Sequence, residues 1–570
     1  MSHRAIRRRP LVDDGHLPAD LHPVLKRVYA TRQIRDPQEL DHGLNGLLPP
    51  DTLTGINAGA QLLADHIQRG SRILIVGDFD ADGATSTVVG IRALRAMGAM
   101  QVDYLVPNRF EYGYGLTPEI VALAADYKPA LLITVDNGIS SIAGVAAARK
   151  AGIDVLITDH HLPGAELPNA NVIVNPNVPG DGFPSKALAG VGVIFYLMLA
   201  LRKYLRDNGT TQDLPNLAEL LDLVALGTVA DVVPLDHNNR ILVAQGLARI
   251  RAGRCRPGIL ALLQTAKRVR ERIGASDLGF ALGPRLNAAG RLADMAQGIE
   301  CLLTDDISRA QQLAAELDTL NRERRDIETQ MQAQALKILA AMHLDEGSLP
   351  VGVCLFEPDW HQGVVGLVAG RVKERIHRPV IAFADAGDGE YLKGSARSVP
   401  GLHIRDALDA IAATHPDLIN KFGGHAMAAG LSIRQTDFDA FSNAFDTEVK
   451  RWLGPDDLTG TIISDGELAM EDISLECAQQ LADGGPWGQA FPEPVFDGMF
   501  GVISARIVGE KHLKLKLMLS DKTRPIEAIL FNHDAPAPDC QQVRIAYRLS
   551  LNEYRDTITP QLIVTYLEPA

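Results

Sequence analysis

Arg72-Ile-Leu-Ile-Val-Gly-Asp78-Phe-Asp80-Ala-Asp82-Gly83 reads as a buried β-strand running into a carboxylate-rich turn. Two further segments repeat the pattern. Leu131-Leu-Ile-Thr-Val precedes Asp136-Asn137-Gly138, and Asp154-Val-Leu-Ile-Thr precedes Asp159-His160-His161. Between them lie helix-like stretches, and strands alternating with helices imply βαβ units and a mainly parallel sheet. In such a sheet the carboxyl ends of the strands form the edge where ligands bind. Carboxylates crowded there repel one another unless cations sit between them, and Asp/His donors suit hard or borderline divalent ions. The pattern therefore predicts an α/β fold with a metal site.

Working outward, the parallel region extends from about Ser71 to Asp231, with strand candidates Ile73–Val76, Val102–Val106, Leu131–Val135 and Val155–Ile157. Thr85, Ser86 or Thr87 is expected to cap the helix after Gly83, aiming its amides at a bound phosphate. The first 70 residues read as helix and loop with no assignable role. From Asp305 to His343, Leu313, Leu317, Leu320, Ile327, Met331, Ala335 and Ile338 recur at helical spacings without Gly or Pro. That predicts a helix roughly 50 Å long, enough to bridge two lobes; a coiled-coil arm is the alternative, against which Arg324 interrupts the stripe.

A second α/β unit follows, with strands at Val351–Phe356 and Val380–Ala384 and glycine-rich turns at Lys393–Ser398 and Phe422–Gly430. Beyond Trp452–Asp457, five strand candidates (Phe500–Ile507, His512–Leu519, Ile526–Phe531, Val543–Leu551, Leu562–Tyr566) fit a small OB-like β-barrel. Leu513, Leu515, Leu517 and Leu519 share one strand face; His512, Lys514 and Lys516 share the other. The expected division is residues 1–70, 71–304, 305–345 (the helix), 346–452 and 453–570.

At 570 residues the chain is too long for one core. Its 46% hydrophobic and 22% charged residues are those of a globular protein. Five scattered cysteines without a Cys-x-x-Cys pair indicate neither a disulfide framework nor a thiolate zinc site, which fits the cytoplasm. The N-terminus is basic but no apolar stretch follows, against a secretory signal. The longest apolar run, Ala187–Leu201, is shorter than the ~20 residues of a spanning helix, so no membrane is expected. A net charge of −14 does not exclude a polyanionic ligand, because the metal site uses several of those carboxylates and binding follows local fields.

Two metals about 4 Å apart can clamp the attacking and departing oxygens of a displacement at phosphorus and lower the pKa of a shared water. Asp136, alone at its strand end, is the natural bridging carboxylate. Asp78 and Asp80 project together if the chain turns, His160 ligates as neutral imidazole, and His161 is placed for a phosphoryl oxygen. Asp231 is the downstream ligand, with Asp222 as its rival. A calcium loop is disfavoured by the preceding strand and the missing glutamate. Taken alone, His160-His161 would be a surface pair; for Asp231 a helix cap is the lesser alternative.

These motifs, with Gly227-Thr-Val-Ala-Asp231, resemble the DHH phosphoesterase superfamily, and Phe422-Gly-Gly-His425 through Gly430 resembles its associated DHHA1 domain. Val106-Pro-Asn-Arg109, Gly283-Pro-Arg-Leu-Asn-Ala-Ala-Gly-Arg291, Trp360-His-Gln-Gly-Val-Val-Gly366 and Gly485-Pro-Trp-Gly488 narrow the resemblance to a bacterial branch of single-strand-specific exonucleases. The resemblance implies hydrolysis of single-stranded DNA from the 5′ end to 5′-mononucleotides with two Mn²⁺ or Mg²⁺ ions, in DNA repair and recombination. It implies Asp78, Asp80, Asp136, His160 and Asp231 as metal ligands and His161 at the scissile phosphate. Arg109, Arg285, Ser395 and Arg397 are implied to grip DNA phosphates, with Gly424 and His425 admitting the strand. It further implies single-stranded-DNA-binding protein and a RecQ-type helicase as partners; a monomer is expected.

The clusters Arg251, Arg254 and Arg256, and Arg371, Lys373, Arg375 and Arg378, could supply charge along the strand, although any one such cluster is more often an ordinary solvated face. Phe110, Tyr112 and Tyr114 are candidates for base stacking or for core packing. Two other functions share the catalytic motifs: a DHH-type phosphodiesterase or oligoribonuclease acting on short or cyclic nucleotides, and a non-catalytic DNA-binding DHH scaffold. The former leaves the barrel and arginine motifs unused. Complete ligand positions oppose the latter.

Overall fold

A computed structural model describes residues 4–112, 114–210, 213–346, 349–509, 511–518, 524–533, 536–538, 540–554 and 557–570. The chain forms two compact units: Met1–Arg8 with Arg322–Ser464, and Arg9–Asn321 with Asp465–Ala570. The first strand, β1 (Arg4–Arg8), belongs to the former.

The unit of Arg9–Asn321 and Asp465–Ala570 holds the expected parallel sheet. Its strands are β2 (Arg72–Gly77), β3 (Gln101–Leu105), β4 (Leu131–Val135), β5 (Asp154–Thr158) and β6 (Val172–Val174), in the order β3-β2-β4-β5-β6. All neighbours pair in parallel, with Val76 opposite Thr134 and Thr134 opposite Ile157. Side chains alternate faces along a strand, and here both faces are covered. Ile73, Ile75, Leu131, Ile133 and Leu156 enter one core; Leu74, Val76, Leu132, Val155 and Ile157 enter another with Leu116 and Ile120. That double burial is why the strands read as continuous apolar runs.

The apolar run Ala187–Leu201 becomes the helix Gly190–Asp207, buried from Gly190 through Met198. No helix among the described residues is long and apolar enough to cross a membrane. The same unit contains a closed barrel of β13 (Phe496–Val508), β14 (His512–Met518), β15 (Pro525–Leu530), β16 (Gln542–Tyr554) and β17 (Thr557–Pro569), ordered β13-β14-β15-β17-β16. Leu513, Leu515 and Leu517 fill its interior; Leu519 lies outside the described residues. On the outer face Lys514 pairs with Glu527 at 2.9 Å, so part of the expected basic surface is neutralised.

The other unit carries β7 (Val353–Phe356), β8 (Val380–Asp385), β9 (Tyr391–Arg397), β10 (Lys421–Gly424) and β11 (Ala428–Arg434), in the order β10-β11-β9-β8-β7. Within this five-stranded sheet only β7 and β8 pair in parallel. The segment Lys393–Ser398, read as a turn, is instead mostly the interior strand β9. Its Gly394 is there because a Cβ would come 2.5 Å from the Phe383 ring. Phe422–Gly430 is a hairpin, with its turn between β10 and β11 as expected.

The helix Ile307–Glu346 has 40 residues, about 60 Å at 1.5 Å per residue, and contributes to both units. Arg324, which breaks its apolar stripe, is buried against Glu328 one turn on, and Glu328 also takes Arg371 at 3.0 Å. The N-terminal segment brings an unanticipated element: β1 pairs in parallel with β12 (Gly460–Ser464), Arg4 opposite Gly460 and Arg8 opposite Ser464.

Candidate metal centre

The turns after β2, β4 and β5 supply most of the site, because neighbouring parallel strands end side by side. Asp78 follows β2 directly. The chain then turns into the helix Ala81–Ala96, whose N-cap is Asp80, accepting the amides of Asp82 (2.9 Å) and Gly83 (3.0 Å). The expected caps Thr85, Ser86 and Thr87 are buried inside the helix instead; Asp80 takes the role because it stands just before the first turn, where the free amides are. Gly83 is required here, since a Cβ would lie 2.5 Å from the Asp78 carbonyl oxygen.

Asp136 follows β4 with a φ of 62°, a left-handed backbone uncommon outside glycine, and its amide bonds the Thr158 carbonyl at 3.1 Å. Asp231 is the C-cap of the helix Leu221–Ala230. His160 Nε2 lies 3.1 Å from Asp136 Oδ1 and 3.4 Å from Asp231 Oδ2. Three donor groups converge within 4.8 Å: Asp78, Asp80 and Asp136; Asp136, His160 and His161; Asp82, His160 and Asp231. Asp136 and His160 each belong to two of them. Asp222 is elsewhere, accepting the amides of Arg256 (2.7 Å) and Leu223 (2.9 Å).

Burial and then repulsion by Asp82 and Asp80 hold the carboxyls of Asp136 and Asp231 well above the usual carboxylate range. Burial and the charge of Asp80 push Asp82 up to about 7. The buried oxygens Asp136 Oδ1 and Asp231 Oδ2 accept no hydrogen bond. A buried cluster of crowded carboxylates and an imidazole, with oxygens left over, is a donor set that fits hard divalent cations.

His161 is oriented by Asp159, whose Oδ1 lies 2.7 Å from its Nδ1. Burial alone would raise Asp159, but the bond from His161 and the Ile139 amide hold it below the usual range. Burial lowers His161; the hydrogen bond and charge of Asp159, with Asp78 and Asp80, outweigh that and raise it.

Several residues acquire roles the sequence reading did not give them. Asp82, fully buried, accepts the amides of Gly190 (2.6 Å) and Val191 (2.9 Å), fixing a helix start behind Asp136. Asn287 accepts the Ala81 amide at 2.7 Å, and a Cβ on Gly290 would lie 1.8 Å from the Phe79 carbonyl oxygen. The segment Gly283–Arg291 therefore buttresses the Asp78–Gly83 turn. Its i, i+3 pair Asn287 and Gly290 was the available signal.

The predicted phosphate-binding residues fall in separate places. Arg285 is buried and bonded to Asp318 (3.0 and 2.8 Å) and to the Ala281 carbonyl (2.6 Å). Arg109 opens a short helix, Arg109–Tyr112; its side chain and that of Phe110 lie outside the described residues. In the other unit, Ser395 and Arg397 on β9 and Gly424 and His425 at the end of β10 flank β11, with Ser395 opposite Gly430 and Gly424 opposite Ala429. Arg397 donates to Ser395 Oγ (3.0 Å), and burial lowers its pKa. Gly424 has φ 145°, and a Cβ there would meet the Ala428 carbonyl oxygen at 2.5 Å. Among the basic clusters, Arg256 pairs with Asp222 and Arg371 with Glu328.

Fold and centre together define a DHH-type phosphoesterase. The model of the DHH family, N-terminal domain, matches residues 72–228; that of the DHHA1 domain matches 348–451 and that of the RecJ OB domain 464–566. The chain is 54% identical over 573 residues to the single-stranded-DNA-specific exonuclease RecJ of Salmonella typhimurium and 53% over 571 to that of Escherichia coli, covering 99% of both chains in each case. The crystal structure of RecJ in complex with Mn²⁺ from Thermus thermophilus aligns with a TM-score of 0.82 at 30% identity, over 99% of this chain and 80% of that one. The chain belongs to the RecJ family.

Proposed function

We propose that this protein is a single-stranded-DNA-specific exonuclease that hydrolyses phosphodiester bonds from the 5′ end and releases 5′-mononucleotides, using two divalent cations, Mn²⁺ or Mg²⁺. The reading rests on the convergence of Asp136, His160 and Asp231 in a chain that matches single-stranded-DNA-specific exonucleases from end to end. Asp78, Asp80, Asp136, His160 and Asp231 would hold the cations, with Asp136 as the candidate shared carboxylate. Bound there, the cations polarise phosphoryl oxygens and lower the pKa of coordinated water.

The chain's own residues do the positioning. His161, held by Asp159, donates to a non-bridging oxygen of the scissile phosphate, where charge develops in the transition state. Arg109, Ser395 and Arg397 contact phosphates of the strand, the 5′-terminal one included, and Gly424 and His425 offer backbone without side-chain obstruction at Gly424. Arg285 serves the same purpose only by exchanging Asp318 for a phosphate. The division 71–304, 305–345, 346–452 and 453–570 assigns catalysis to the first of these parts and strand binding to the last two; residues 1–70 add the strand β1. A cytoplasmic monomer acting in DNA repair and recombination, with single-stranded-DNA-binding protein and a RecQ-type helicase as partners, completes the reading.

Digestion of 5′-labelled and 3′-labelled single strands with Mn²⁺ or Mg²⁺ tests it. Labelled mononucleotide should appear early from the 5′ label alone; early release from only the 3′ label reverses the polarity. Equal or faster turnover of a dinucleotide than of a long 5′-phosphorylated strand replaces the substrate class.

A further inference from the structure

Tyr114 touches both the His160–His161 segment and the Asp136 segment without being a candidate ligand. Its hydroxyl lies 3.2 Å from the Asp136 carbonyl oxygen, to which it donates, and 3.2 Å from His161 Nδ1 and 3.4 Å from Nε2. The tyrosine and imidazole rings meet edge to face, centroids 5.7 Å apart at 71°. On its other side Tyr114 meets Phe79, from the Asp78–Gly83 turn, at 6.1 Å and 79°. The chain just beyond is pinned: Gly115 has φ 78°, and the Leu116 amide bonds Ser141 Oγ at 2.9 Å. Tyr114 is thus held from three sides while its residue remains 49% exposed.

We infer that Tyr114 is a positioning residue for His161. Asp159 fixes one nitrogen of that ring, and the His160 ring packs against it with centroids 4.5 Å apart. The Tyr114 hydroxyl supplies a second polar contact, and its bond to the Asp136 carbonyl keeps that contact in register with the strand end that carries Asp136. Supporting partners of this kind alter activity by about 10–100-fold when removed, and small displacements of a reacting group suffice for such losses. The role assigned to Tyr114 rests on the reading that His161 contacts the scissile phosphate.

A double-mutant cycle separates the two. Y114F should lower kcat on single-stranded DNA by about tenfold and change KM less than about twofold. In an H161A background the same change should have almost no effect, because the hydroxyl acts through the imidazole. Y114A, lacking the ring as well, should lose at least as much kcat as Y114F, and both variants should keep the thermal midpoint of the parent. An unaltered kcat in Y114F, a loss confined to KM, or an equal loss with and without His161 overturns the inference. An H161A variant with parental activity overturns instead the reading of His161 itself.

Discussion

Asp136 Oδ1 and His160 Nε2 approach to 3.1 Å although they come from the ends of different strands. The approach follows from the sheet: β4 and β5 are parallel neighbours, and Val135 lies opposite Thr158. Because Asp136 is grouped both with Asp78 and Asp80 and with His160 and His161, removing its carboxylate disturbs two of the three donor groups. Asp136→Ala should reduce cleavage by at least about a thousandfold and abolish the rise in Tm that Mn²⁺ gives the parent protein, leaving the cation-free Tm unchanged or higher. Nuclease assays paired with melts check this; retained activity removes the bridging role.

The cation-free protein should lose stability as pH rises across the window between the ordinary carboxylate value of 3.8 and the value near 7 reached by Asp82. Folding raises the pKa of Asp82, Asp136 and Asp231, so the folded state holds protons that the unfolded chain has released. Their contribution is fully present below the unfolded values and disappears as pH climbs through the folded ones. Cations compete with those protons, so the Tm gain with saturating Mn²⁺ should grow between about pH 5 and about pH 8. A gain independent of pH would show that these carboxylates do not hold the metal.

The parallel sheet, the long helix and the barrel are legible because each is written in local periodicity: doubly buried strands as apolar runs, the barrel strand as alternating leucines. Asp136 and His160 are legible because their strand ends are. What escapes depends on partners far along the chain. Nothing near Asp82 announces Gly190 and Val191, nor does Arg285 announce Asp318, whose carboxylate occupies a guanidinium that looks free in sequence. Lys393–Ser398 reads as a turn because Gly, Ser and Ala are small, yet the smallness serves the ring of Phe383 next to β9. Arg4–Arg8 carries three arginines in five residues, and only β12 turns it into a strand.

Asp82 tests how far the site depends on packing. Asp82→Asn keeps the shape but presents an NH₂ to one of the two backbone amides it now accepts. Leaving a buried donor unsatisfied costs about 1–3 kcal/mol, so urea melts should show a loss of that order. Because a Cβ at Gly190 would already stand 2.6 Å from the Asp136 Cβ, a shift of this helix start also displaces the Asp136 carboxylate, and kcat should fall further than the fraction of unfolded protein explains. Parental stability and kcat in D82N would show that Gly190 and Val191 need no anchor.

Far from the metal centre, Arg32 and Asp465 form a two-pronged pair at 2.9 and 3.0 Å, each side chain almost fully buried. Asp465 also accepts the Val495 amide at 3.1 Å, and the Arg32 guanidinium stacks over Trp487 at 5.4 Å. The pair therefore ties the helix Pro23–Thr31 to the segment leading into the barrel. Asp465 keeps Arg9 at 3.4 Å when Arg32 is removed, so the loss should stay below the about 3–5 kcal/mol of a fully stranded charge. Arg32→Ala should lower the denaturant midpoint accordingly, and the double variant Arg32→Met, Asp465→Leu should recover only part of the loss, because the Val495 amide and Arg9 then lack their acceptor. Neither should change the apparent Mn²⁺ affinity of the folded protein, because both residues are absent from the donor groups around Asp136. A matching fall in cation affinity would mean that the ion pair shapes the catalytic core as well as the barrel junction.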